Sequence, residues 1–136
     1  MKAITREWLA RAKEDLLAAE ILLAQPELTN MVASHAQQTV EKTLKAVLEE
    51  SAIAAVRTHS LTRLYGLVET HLSISIDQDM LDRLEAVYIQ SRYPGEMGLL
   101  PHGKPSQDEA KQFYSFAQQL FQEIQTALEA ESDNNS

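Results

Sequence analysis

Apolar side chains recur along this chain at the spacing of α-helices, and the breaks in that spacing divide it into five segments. From residue 4 to 24, Trp8, Leu9, Ala12, Leu16, Ala19 and Leu23 fall within about 100° of one another at 3.6 residues per turn, while Arg11, Glu14 and Asp15 take other directions. Gln25-Pro26 ends the pattern, since proline disfavours the α conformation in the residue before it. A second helix is predicted from about 31 to 53, with Thr29 or Asn30 as its cap. It has two sides. Val32, Ala33, Ala36, Val40, Leu44 and Val47 lie on one, and His35, Gln38, Lys42 and Lys45 on the other. The polar set runs i, i+3, i+7, i+10, so it forms a single stripe that contains no carboxylate and is bordered by Glu41, which is expected to neutralise it in part.

Arg57-Thr58-His59-Ser60 offers two caps for a third helix carrying Leu61, Leu64, Tyr65, Val68 and Leu72 inward. The alternation Ser73-Ile74-Ser75-Ile76 reads as a connector, because one short strand without a partner is not stable. Asp77 caps a fourth helix through Met80, Leu81, Leu84, Tyr88 and Ile89, ending near Ser91. Arg92 to Ser106 holds six of the chain's eight Gly and Pro residues and is read as a long loop. Ser106 and Glu109 form a capping box for the last helix, whose stripe is Phe113, Ala117, Leu120, Phe121, Ile124 and Leu128. The expected fold is all-α, an antiparallel bundle of four long helices plus a shorter fifth helix. A single domain is expected over residues 1–131, with a flexible acidic tail at 132–136.

Composition narrows the chemistry. The absence of cysteine among 136 residues excludes disulfide scaffolds, Cys-ligated zinc, iron–sulfur clusters and thiol catalysis. A net charge of −8 argues against indiscriminate nucleic-acid binding but leaves room for a local basic pocket. The acidity is uneven: residues 123 to 136 carry four acids and no base, whereas four acids balance four bases between Met31 and His71. No apolar run approaches the ~20 residues of a membrane span, and no signal peptide is evident, so the cytoplasm is the expected location.

No Glu or Asp lies three residues before a His, and neither His-x-x-x-His nor HExxH occurs, so no local metal spacing is found and no cofactor is expected. Phosphate-loop glycine patterns and a Gly-x-Ser-x-Gly turn are also missing. What remains is a set of cationic and aromatic residues at helix edges: His35, Lys42, Lys45, Arg57, His59, Arg92 and Tyr93. Singly, each has an ordinary explanation in a solvated face or a helix junction. Together they can line an anionic-ligand pocket, with Arg and Lys donating to phosphate and Tyr stacking on a base.

The runs HAQQTVEKTLKAVL, RTHSLTRL and YIQSRYP, in that order, resemble the HEPN family, the higher-eukaryote and prokaryote nucleotide-binding domain, in its small stand-alone form. The likeness spans Trp8 to about Leu128. It implies a helical bundle that homodimerises and works with a separate minimal nucleotidyltransferase chain, often as a toxin–antitoxin pair. It further implies a pocket using His35 and Lys42, then His59, then Arg92 and Tyr93. The family's ribonuclease branch places a His after an Arg with four to six residues between them. Here Arg63 and His71 are separated by seven residues, and Arg92 and His102 by nine.

Three functions therefore stand. The leading one is a non-catalytic, nucleotide-associated protein acting as a homodimer with a nucleotidyltransferase partner. A metal-independent ribonuclease toxin using Arg92 and His102 across a dimer, on RNA, is the alternative. A structural interaction module is the third. Surplus apolar positions Leu17, Ile21 and Leu22 on the first helix favour association between copies.

Overall fold

The computed structural model describes residues 1–53, 57–92 and 104–134, with side chains left out of account at 90–92 and 133–134. Five α-helices lie among them: α1 (Ala3–Leu22), α2 (Thr29–Glu50), α3 (Leu61–Val68), α4 (Gln78–Arg92) and α5 (Gln107–Asn134). The all-α bundle is as predicted, but the proportions are not. Three helices are long, at 20, 22 and 28 residues, and two are short, at 8 and 15. The third helix stops at Val68 because the next residues close into a turn, in which His71 and Leu72 N–H groups return to the Val68 carbonyl and the Thr70 hydroxyl donates to Leu67.

The caps explain most boundaries. Ser106 and Glu109 form the reciprocal box: the Glu109 N–H donates to the Ser106 hydroxyl at 3.0 Å and the Ser106 N–H to the Glu109 carboxylate at 3.1 Å. Ser60 accepts from Arg63 N–H, and Asp77 from Met80 N–H. Thr29 and Asn30, expected as caps, lie inside α2, which follows directly on a 3-10 turn at Pro26–Leu28. At its other end α2 finishes at Glu50 rather than near 53. Ala52 takes the left-handed conformation (φ 58°) and Ile53 N–H reaches back to the Leu48 carbonyl, a Schellman-type stop built without glycine. Holding a Cβ there costs about 1 kcal/mol.

Helix α2 occupies the centre, packing against α1, α3, α4 and α5. Lys2 meets the end of α2, and Asp15 meets its middle, so α1 and α2 run antiparallel. Glu20 to Tyr114 and Lys13 to Phe121 show the same sense for α1 and α5. The core contains Leu44, Leu61, Leu64, Leu81, Leu84, Phe113, Ile124 and Leu128, all essentially without solvent contact. A smaller apolar cluster of Ala19, Val32 and Ala110 closes one end, and Leu22 packs against it, contrary to its reading as surplus. Leu17 and Ile21 are exposed, at 47% and 73%.

Nothing in α1's own sequence caps its first turn; Glu50 does so from the end of α2. Its carboxylate accepts from the Lys2 N–H at 2.9 Å and the Thr5 hydroxyl at 2.8 Å. The Lys2 N–H chiefly, with the Thr5 hydroxyl and the N-terminal charge, holds the Glu50 carboxyl below its ordinary value against partial burial. A lowered folded value stabilises the fold above the unfolded value and ceases to do so as pH falls through the folded one. Glu50→Gln is therefore expected to cost about 1 kcal/mol at neutral pH, with the difference from wild type vanishing once pH drops well below the usual Glu value of about 4.3. Urea midpoints for both proteins across that range check it; a difference that persists at low pH refutes it.

Candidate functional site

Because α2 is central, only a narrow strip of its surface reaches water, bounded by α1 on one side and by the residues before α3 on the other. Its apolar side is buried as predicted, from Val32 through Val47. The expected polar stripe of His35, Gln38, Lys42 and Lys45 lies in this trough, each residue half-buried.

Two carboxylates form the base of the trough. Asp15 of α1 is buried, its side chain 10% exposed, and accepts from His35 Nδ1 at 2.9 Å and Lys42 Nζ at 2.6 Å. Asp15 thus corrects the expectation that it points away from the packed face of α1. At helical spacing it lies only about 20° from Trp8, and burial is tolerated because two donors on α2 meet it. Glu41, equally buried, neutralises part of the stripe as expected: its carboxylate receives Lys45 Nζ at 3.0 Å and His59 Nδ1 at 3.1 Å. Lys45 also lies over the Trp8 ring, 5.6 Å from its centroid, close enough for a cation–π contact. The stripe is therefore not free of negative charge. Lys42 and Lys45 are balanced by Asp15 and Glu41.

Protonation at histidine Nδ1 follows from these contacts. An ionised carboxylate only accepts, so Nδ1 carries a proton in both His35 and His59. The two rings differ in access: the His35 side chain is 26% exposed and that of His59 75%. His59 is positioned by a third residue, since the fully buried Gln37 donates from Nε2 to the His59 carbonyl at 3.1 Å. Sequence reasoning passed over Gln37, Asp15 and the double role of Glu41. For Asp15 the signal was available in its angle on the α1 wheel.

Arg57 is exposed beside His59 and makes no ion pair among the described residues. The structure thus brings His35, Lys42, Lys45 and His59 to one trough, with Arg57 exposed two residues before His59 in the chain. The Arg92 backbone ends α4, but its side chain, Tyr93 and His102 lie outside what the structure describes, as does most of the predicted loop. Among the described residues no group of acidic and His side chains is arranged to hold a metal ion, and no helix is long and apolar enough to cross a membrane.

The HEPN domain model matches residues 5–127. The chain belongs to the HEPN family. Two solved structures share its fold. One is the TT1696 protein of Thermus thermophilus, 23% identical with a TM-score of 0.71, the match covering 90% of this chain and 96% of that one. The other is ST0689, described as an archaeal HEPN homologue, 22% identical with a TM-score of 0.65, covering 93% and 98%. At these identities the likeness establishes the fold. No curated protein matches the sequence.

If Asp15 is the anion that allows His35 and Lys42 to be half-buried, removing it strands both. Asp15→Ala is expected to lower stability by about 2 kcal/mol, less than for a fully buried pair because both partners keep some water. Adding Lys42→Ala to that variant should cost little more. A double-mutant cycle by urea unfolding measures this; strictly additive losses would refute the pairing.

Proposed function

We propose that this HEPN protein is a non-catalytic, nucleotide-associated module that acts as a homodimer with a minimal nucleotidyltransferase partner, and that the α2 trough is its nucleotide site. The observation that carries the reading is the convergence of His35, Lys42, Lys45 and His59 on one strip of α2, with Arg57 exposed two residues before His59.

With Lys42 and Lys45 already balanced, net charge inside the trough is a weak attraction for an anion. Arg57 supplies the uncompensated charge, and its planar guanidinium suits a phosphate's paired oxygens. The remaining lysine N–H groups, and His59 if it takes up a proton, add directed hydrogen bonds. Exposed Leu17 and Ile21 provide apolar surface for association, and partner identity rests on family analogy.

Calorimetry on the purified protein, with its mass fixed by sedimentation, tests both halves. Expected are a dimer at micromolar concentration, measurable binding of at least one common nucleotide, and a tenfold or greater loss in Arg57→Ala and His59→Ala, about 1.4 kcal/mol. A monomer removes the dimer; silence with every nucleotide up to millimolar levels, or variants that bind as wild type, removes the site. Metal-independent RNA cleavage in EDTA that Arg92→Ala abolishes would replace this reading with the ribonuclease.

A further inference from the structure

A second concave surface lies away from the trough, on the side of α1 that faces α5. There a cleft of about 470 Å³ opens between the two helices, within the range of small-molecule sites. Leu9 and Phe121 are buried beneath it, so its floor is apolar. Arg6 and Lys13, two turns apart, stand on the α1 rim.

The two cations differ in pairing from their neighbour on α1. Arg11, on another face of the same helix, is held by both Glu7 and Glu14. Arg6 and Lys13 pair with no carboxylate among the described residues. Arg6 makes one long hydrogen bond, from Nε to the Met1 carbonyl at 3.5 Å, and the Lys13 ammonium rests 5.7 Å from the centre of the Phe121 ring. That ring contact keeps Lys13 over the cleft. Glu129 lines the opposite wall without ion-pairing to either cation, so it limits the ligand's charge to the α1 side. Ser132 lines the cleft too, and its hydroxyl is shielded from water with no hydrogen-bond partner among the described residues. A shielded hydroxyl without a partner is a group whose bonding a ligand can complete.

We propose that this cleft binds a small amphiphilic anion, its carboxylate between Arg6 and Lys13 and its apolar body over Leu9 and Phe121. Neither half suffices alone. The two exposed cations are too well hydrated to retain a bare anion, and an apolar body without charge gains only its burial. The site shares no residue with the α2 trough and stands or falls independently of it.

Sodium octanoate is the probe, in an amide NMR titration of the intact chain. The expected result is saturable shifts confined to residues 6–13 and 121–132, with a Kd below about 1 mM. Affinity should fall at least tenfold in Arg6→Ala/Lys13→Ala and in Lys13→Glu, both with wild-type helix content by circular dichroism. Octylammonium, the same body with opposite charge, and inorganic phosphate, a charge without the body, should give no saturable shifts there. The proposal is overturned if octanoate gives no saturation, if its shifts map instead to the exposed Leu17 and Ile21, if octylammonium or phosphate binds as well, or if either folded variant binds as wild type.

Discussion

The central position of α2 is the constraint from which the rest follows. A helix that touches four others would ordinarily be apolar on nearly every side. This one buries Gln37, Thr39, Glu41 and Thr43 as well as its aliphatic residues. The threonines resolve this locally, each hydroxyl donating to the carbonyl four residues earlier. Glu41 cannot, because a buried carboxylate needs counter-charge and donors from outside its own backbone. Lys45 supplies one from the next turn and His59 another from the segment before α3. In the reverse direction, Lys42 and His35 draw a carboxylate from α1. The polar groups of α2 thus position its neighbours as much as its leucines do.

This has a bearing on chemistry. A row of lysines and histidines read from sequence suggests an electropositive patch, whereas the folded row is an alternation of charges in which both lysines are occupied. At the proposed site, recognition would depend on exchange of hydrogen bonds more than on long-range attraction, and would be less sensitive to salt than a true basic patch. The overall acidity of the chain is compatible with that proposal, since it requires no field of one sign.

Much of the fold was legible because its signals are local. The stripe of α5, the Ser106–Glu109 box and the caps at Ser60 and Asp77 depend on residues within a few positions of each other, and spacing reveals them. The connector at 73–76 was legible for the same reason. What was not legible depends on partners far away in the chain. The end of α2 at Glu50 requires a left-handed alanine, which no propensity favours. The shortness of α3 comes from a turn that competes with an apolar pattern continuing to Leu72. The polar residues of α2 were read correctly as a stripe with Glu41 beside it, yet its second carboxylate was missed, because Asp15 is separated from His35 by 20 positions and from Lys42 by 27. Periodicity assigns a face to a residue but does not say what stands opposite.

The capping of α1 by Glu50 shows what such distant dependence means for motion. The orphan N–H groups of most helix starts are met by a side chain of the same turn, so they stay protected while the helix itself persists. In α1 the Lys2 amide is held by a residue 48 positions away. Its exchange with solvent is thereby tied to separation of the first turn of α1 from the last turn of α2. The start and the end of a helical hairpin are thereby joined, and the first turn of this chain reports on whether the two helix ends are together.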